Sequence, residues 1–277
     1  MRLVWQLLAV AAVWIIGNLG IIAVKDNPWS ALVAGLLTAV VGVLVYGWVV
    51  RRTEHRAPVE VSLKGAGAGV GWGTLLGIVL FGAVIASIAF FGEYTINGLG
   101  TPAGAVALLG IMTGAAVTEE LVFRGVLFRN VELWTGTWIA LVLTGSLFGL
   151  IHLLNPNATL WGAVAIVIEA GGMLTAAYIA TRKLWLPIGL HFGWNVAGSA
   201  IFSTEVSGSN TAQGLLDATM SGPALVTGGS FGPEGSIYAV VLGVLATGVF
   251  MWLAYRRGHV VPVRRSARTD LAATLSR

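Results

Sequence analysis

The stretch TEELVFRG, residues 118–125, places two adjacent carboxylates and a guanidinium inside an otherwise apolar segment. A charged side chain at the centre of a membrane helix costs about 2.5–3.5 kcal/mol on insertion scales, so three of them need a reason. On a helix, Glu120 and Arg124 share a face in the acid-before-base order that favours an ion pair. Glu119 is turned about 100° away and has no such partner. The spacing predicts a supporting ion pair beside a free, working carboxylate, with a cluster that only fixes helix packing as the alternative.

Further polar groups recur in two later apolar segments. SLFGLIH places Phe148 and His152 four residues apart, and HFGWN does the same for His191 and Asn195. A lone histidine in a membrane helix is more often a packing residue that hydrogen-bonds a neighbouring helix. Peptide hydrolysis, however, needs a base for water and donors for the developing oxyanion. A free carboxylate with histidine and asparagine donors on neighbouring helices could supply both.

A metal site is the competing interpretation of the same residues. Glu119, His152 and His191 offer two imidazoles and one carboxylate, a ligand set suited to catalytic zinc, and Glu120 would then be a candidate base. The chain contains no cysteine and no HExxH sequence, which is the commonest signature of a zinc protease. We favour the metal-independent carboxylate mechanism and keep zinc as the alternative cofactor.

The elements that must position these residues are membrane spans. The chain has 277 residues, of which 56% are hydrophobic and only 10% charged, against about 25% charged in a soluble domain. Eight apolar segments approach the roughly 20 residues that a bilayer core requires. They cover about 3–24, 30–50, 71–92, 104–128, 137–154, 159–181, 184–203 and 236–255. The sequence therefore predicts an all-α polytopic membrane protein, one bundle of about eight helices over 1–255, followed by a basic, mobile cytoplasmic tail over 256–277.

The basic residues predict the orientation of this bundle. With the N-terminus inside, the inner loops and the C-terminal tail hold 14 of the 16 Lys and Arg residues, whereas the outer loop 204–235 holds none. This positive-inside pattern predicts a multi-pass protein, typical of a bacterial plasma membrane, with both termini cytoplasmic. It also explains the pI near 9.8 without a nucleic-acid partner.

Distances along the chain predict which polar groups lie level in the membrane. Glu119 and His152 are each about 16 residues from the turn at residues 135–136, so two helical arms would place them at equal height. Glu169 and Asn195 are likewise each 13 residues from the TRK turn at 181–183. We therefore expect Glu169 to hydrogen-bond near the site as a supporting group; a protonated carboxyl that is simply packed is the alternative.

Three motifs in order resemble those of a known family. EELVFRG resembles the EExxxR motif, FGLIH the FxxxH motif and HFGWN the HxxxN motif of the CPBP family of CAAX-protease and bacteriocin-processing membrane proteins. The resemblance covers about 104–203, and GGSFGPEGS, 228–236, is similar to a stretch often found before the last span of bacterial members. It implies an intramembrane endopeptidase. Its site residues would be Glu119 and His152 activating water, His191 and Asn195 stabilising the oxyanion, and Glu120, Arg124 and Phe148 in support.

The expected partners are the lipid bilayer and a membrane-associated peptide or protein substrate. A prenylated C-terminal motif, a bacteriocin leader peptide and an unrelated membrane protein all fit the sequence. A transporter or a non-catalytic scaffold is the alternative function, because carboxylates and histidines at membrane depth also occur in proton-coupled transporters. The sequence shows no inverted repeat that would favour transport.

Overall fold

The computed structural model describes residues 1–263, and the last part of the predicted tail, 264–277, lies outside the described residues. Helices dominate the described chain. They are α1 Arg2–Val24, α2 Pro28–Glu54, α3 Ala66–Phe90, α4 Pro102–Glu120, α5 Arg129–Thr135, α6 Thr137–Ile151, α7 Leu160–Ile166, α8 Met173–Thr181, α9 Trp185–Val196, α10 Ala224–Thr227 and α11 Ile237–Arg256. Within these residues, seven helical stretches are long and apolar enough to cross a membrane. The predicted all-α polytopic bundle is confirmed.

The eighth predicted span corresponds to α9 and the helical segment that follows it. Together they run from Trp185 to Ile201, which is shorter than the other spans. Three spans are interrupted by π-helical segments, namely Leu121–Phe128 between α4 and α5, Val167–Gly172 between α7 and α8, and Ala197–Ile201 after α9. Such segments are rare and frequently mark functional sites. Here they fall in the three spans that carry Arg124, Glu169 and Asn195.

Glycines allow these helices to pack with their backbones in close approach. A Cβ atom added at Gly77 of α3 would lie 2.4 Å from the carbonyl oxygen of Leu190 in α9, and one at Gly73 would meet Leu186 at the same distance. Gly35 of α2 faces Gly110 of α4 in the same way. Small residues at helix interfaces are the usual means of close packing in membranes. They fix the helices that carry Glu119, His191 and Asn195.

One end of the bundle, which we call the basic end, is joined by ion pairs between loops and helix ends. Arg129 contacts Glu54 at 2.5 Å, and Arg182 contacts Glu132 at 2.5 Å. The start of the predicted tail docks here as well: Val261 donates its N–H to Thr137 and accepts the N–H of that residue in return. The first residues of the tail therefore pack on the basic end: Val261 bonds to Thr137 after α5, and the Arg257 and His259 side chains bond to carbonyls at the end of α8.

The opposite end carries a two-stranded antiparallel sheet that the sequence did not predict. Strand β1, Tyr94–Leu99, pairs with β2, Leu216–Met220, with an irregular register between Ile96 and Gly98. The Tyr94 hydroxyl donates to the carbonyl of Phe202 and ties the sheet to the end of the eighth span. The connection 202–236 is therefore a folded structure that covers this end of the bundle.

Candidate active site

The ion pair predicted from the opening motif is present and buried. Arg124 Nη1 lies 2.7 Å from Glu120 Oε1, and both side chains are almost completely inaccessible. The guanidinium also donates to Thr175 Oγ1 at 3.1 Å and to the Ala170 carbonyl at 2.8 Å. The guanidinium carbon, Cζ, lies 4.5 Å from the ring centre of Phe148, within the range of a cation–π contact. Arg124 thus connects the α4 span to α6 and to the α7–α8 span.

His191 lies between the two adjacent glutamates. Its Nδ1 is 3.0 Å from Glu120 Oε1, and its Nε2 is 3.9 Å from Glu119 Oε2. Glu120 is fully buried, whereas 17% of the Glu119 side chain is exposed. The two neighbouring carboxylates therefore approach opposite nitrogens of one imidazole, and of the two only Glu119 keeps an exposed fraction.

His152 is oriented by the end of its own helix. It begins the single turn of 3₁₀-helix His152–Leu154 that closes α6, and its Nδ1 lies 2.7 Å from the Phe148 carbonyl oxygen. Because a carbonyl can only accept, Nδ1 carries the proton, and Nε2 is the acceptor nitrogen of the neutral ring. The Phe148 ring packs edge-on against His152, with 4.8 Å between ring centres, and against His191, with 6.1 Å.

A small pocket joins three of the four predicted catalytic residues. Its volume of about 20 Å³ is sufficient for one water molecule, which needs at least about 10–15 Å³. Its polar lining consists of His152, His191, Asn195, Ser207 and Glu234. Glu119 is not among the lining residues; its Oε2 lies 3.9 Å from Nε2 of His191, which does line the pocket.

Asn195 lines this pocket, whereas Glu169 does not. Within residues 1–263 the side-chain amide of Asn195 has no protein hydrogen-bond partner, although it is 8% exposed and lines the pocket. Glu169 is fully buried in the π-helical segment, outside the pocket lining, and neither of its carboxyl oxygens has a partner in the same residues. The carboxyl therefore makes no hydrogen bond to a protein group of these residues, its backbone lies against Gly243 of α11, and a supporting role for Glu169 stays a prediction.

Glu234 is a site residue that the motif analysis did not select. It is 2% exposed and lies in the turn Pro233–Gly235, just before α11. Trp194 Nε1 donates to its Oε1 at 2.9 Å, and Ser207 donates to its Oε2 from both its hydroxyl and its backbone N–H. Burial raises the pKa of the Glu234 carboxyl, while the hydrogen bonds from Ser207 and Trp194 oppose that shift. The available signal was an acidic residue in FGPEGS, immediately before an apolar span.

The alternative zinc site is not assembled by these side chains. No three His, Cys, Asp or Glu residues of 1–263 converge in an arrangement that could hold a metal ion. Glu119, His152 and His191 do not form a ligand set in this geometry, so we derive no catalytic step through zinc.

A comparison with protein families agrees with the motifs. Residues 100–197 match the family described as type II CAAX prenyl endopeptidase Rce1-like. This segment matches the CAAX-protease family. It includes Glu119, His152, His191 and Asn195, and it confirms the resemblance to the CPBP family. No curated protein and no solved structure matches the chain significantly. The CAAX-protease match, together with the apolar helices, supports an integral membrane protease of the CAAX type in general.

Proposed function

We propose that this protein is an intramembrane endopeptidase that hydrolyses a peptide bond with water activated by Glu119 and His152. His191 and Asn195 stabilise the oxyanion that forms during the attack. Support comes from the pocket, where His152, His191 and Asn195 from two different spans face one space of about 20 Å³. This observation carries the proposal because three groups able to handle water or an oxyanion share a site with room for water.

In the proposed reaction, Glu119, acting with His152, removes a proton from water while the water oxygen bonds to the carbonyl carbon. Asn195, whose amide has no protein partner within 1–263, donates to the resulting oxyanion. In this step His191 acts as an imidazolium, which donates its Nδ1–H to Glu120 and its Nε2–H to the oxyanion. The proton then passes to the amide nitrogen, the C–N bond breaks, and a carboxyl and an amine leave.

Glu120, Arg124 and Phe148 hold this arrangement in place. Glu120 Oε1 contacts both Arg124 and His191, so one carboxylate oxygen fixes the imidazole relative to the α4 span. Phe148 lies against Arg124, His152 and His191 at once. Positioned groups can provide much of a rate enhancement because they avoid the entropy of assembling reactants.

The proposed substrate is a membrane-associated polypeptide that approaches from the end opposite the basic end. Ser207 and Glu234 of the connection 202–236 line the pocket, which places the pocket toward that end. With both termini cytoplasmic, as the distribution of Lys and Arg favours, this end faces away from the cytoplasm. A segment exposed on that side, such as part of an exported or membrane-anchored protein, suits this geometry better than a cytoplasmic C-terminus.

The test is cleavage by the purified full chain in liposomes, using a fluorogenic farnesylated CAAX peptide and a labelled single-span peptide as probes. The Glu119→Gln variant should fold and lose about 10²–10⁴-fold in rate, since an amide cannot accept the proton. His152→Ala should lose activity similarly, and the double variant should be little worse than either single one. Asn195→Ala should lose about 10²–10³-fold.

Asp26→Asn is the matched control, because it removes an exposed carboxylate in the loop before α2. It should cleave at the wild-type rate. Full activity of Glu119→Gln would refute the assignment of the base, whereas a wild-type protein that cleaves neither probe would count against the protease itself.

A further inference from the structure

Glu234 is a buried carboxylate in the candidate pocket that the mechanism above does not use. It reaches the pocket from the turn before α11, whereas the three motif residues reach it from α9 and the end of α6. The inference below concerns what this carboxylate does there, and it rests on the proposed protease function.

Counting hydrogen bonds shows that Glu234 has one acceptor position to spare. An ionised carboxylate offers about four lone-pair positions. Oε2 accepts two donors from Ser207, and Oε1 accepts only the indole N–H of Trp194. The remaining position belongs to Oε1, in a side chain that lines the pocket.

Other polar groups of the pocket also have hydrogen-bonding atoms that no protein group in the described residues uses. His152 uses Nδ1 for the Phe148 carbonyl and keeps Nε2. His191 uses Nδ1 for Glu120, leaving Nε2 near Glu119. The amide of Asn195 has no protein partner in the described part of the chain. A buried water typically makes about three hydrogen bonds to otherwise unsatisfied polar groups. The pocket therefore has both the volume and the free partners that one water requires.

We propose that this pocket holds the hydrolytic water and that Glu234 is a further catalytic residue, which accepts a hydrogen bond from that water and orients it. One O–H of the water points to Glu234 Oε1, and the other proton is the one that His152 and Glu119 remove; of these two groups His152 lines the pocket, and Glu119 lies outside the lining, 3.9 Å from His191 Nε2. The water oxygen bonds to the carbonyl carbon, and the hydrogen held by Glu234 remains on the new carboxyl group until that group ionises.

The first test does not depend on activity. A structure of the full chain at a resolution that shows ordered water should contain a water within about 3.2 Å of Glu234 Oε1. The same water should contact His152 Nε2, in both the wild type and the Glu119→Gln variant. A pocket that is dry, or a water that touches neither group, would overturn the proposal.

The second test is the rate of cleavage by Glu234→Gln with the two peptide probes. The amide oxygen of the glutamine must face the two Ser207 donors, so its NH₂ group takes the position of Oε1, where it loses the hydrogen bond from Trp194 and presents a donor in place of an acceptor to the pocket. We expect kcat to fall about 10²-fold with KM nearly unchanged, because a misplaced water costs rate and the peptide still binds. An unchanged kcat, or a loss confined to KM, would contradict the assignment.

Two variants separate catalysis from anchoring of the loop. Glu205→Gln changes a carboxylate of the same connection that bonds to Thr211 and does not line the pocket, so its rate should be unchanged. Ser207→Ala removes one anchor of Glu234 and leaves the carboxylate, so its loss should be much smaller than that of Glu234→Gln. Equal losses in Ser207→Ala and Glu234→Gln would show a structural role and refute the proposal.

The two proposals fail in different ways. If the wild type cleaves its probes while Glu234→Gln is fully active, only the role of Glu234 is lost. If the wild type cleaves nothing and the water is nevertheless bound between Glu234 and His152, the water site stands and the protease function does not.

Discussion

Gly77→Ala should slow cleavage without changing any residue of the candidate active site. Gly77 lies in α3, where it faces the backbone of α9 from Leu190 to Trp194, next to both His191 and Asn195. A Cβ atom there would lie 2.4 Å from the Leu190 carbonyl oxygen and 2.5 Å from the Trp194 amide nitrogen. Ordinary van der Waals contacts of a Cβ begin at about 3.4 Å. The two helices must therefore move apart by roughly 1 Å, because backbone atoms cannot rotate out of the way as a side chain does.

A shift of this size has two consequences. Overpacking typically costs about 1–3 kcal/mol of stability. In catalysis, a misplacement of about 1 Å can cost about 10²-fold, and α9 carries both His191 and Asn195. We therefore expect Gly77→Ala to remain in the membrane, unfold at a lower temperature and cleave about 10²-fold more slowly, with kcat affected more than KM.

Gly82→Ala is the matched control for this prediction. It makes the same change one turn and a half further along α3, where a new Cβ has nothing within 4 Å. Thermal unfolding in detergent and cleavage in liposomes should show that variant near or above wild-type stability, since alanine favours a helix over glycine. Wild-type rate and stability for Gly77→Ala would show that the close approach of α3 and α9 does not position the site.

Four other tests address separate parts of the structure. Arg124→Met should lower the free energy of unfolding by about 3–5 kcal/mol, as measured by denaturation in detergent, because it leaves the Glu120 carboxylate buried without its cation. Glu169→Gln should cleave at nearly the wild-type rate, because its carboxyl makes no hydrogen bond within residues 1–263; a large loss would give it a role in the mechanism. The chain has no cysteine, so an impermeant maleimide should label Asn210→Cys in intact cells and Arg52→Cys only after permeabilisation, and the reverse result would invert the proposed orientation. Prolonged chelation should leave cleavage unchanged, and restoration of a chelated, inactive enzyme by added zinc would contradict the carboxylate mechanism.

Local spacing predicted the parts of the site that depend on one helix. The pair Glu120–Arg124 forms because residues four apart share a helical face, and Glu119 is directed elsewhere for the same reason. The spans were predictable because a bilayer requires about 20 apolar residues. Each of these inferences needs only the geometry of one element, so neighbouring elements could not change them.

The parts that depend on packing between elements were not predictable in this way. The role of Glu234 comes from a turn that folds back until its carboxylate meets Trp194, 40 residues earlier in the chain. The pairing of β1 with β2 joins segments more than a hundred residues apart. Equal distance from a turn suggested a contact for Glu169, but a level position in the membrane does not determine which neighbour a side chain faces.

The contacts of the three charged groups in the opening motif explain why an apolar span can contain them. Arg124 is held by Glu120, Thr175, the Ala170 carbonyl and the face of Phe148, so its charge is fully compensated inside the bundle. Glu120 accepts from both Arg124 and His191 through one oxygen and is fixed by them. Glu119 has only a 3.9 Å approach to His191 and keeps some access to solvent. A group that must exchange a proton has to be able to change partners, and among these three only Glu119 is free to do so. The ion pair of Glu120 and Arg124 thus holds the helices in a fixed arrangement, and the adjacent Glu119 remains available for proton transfer.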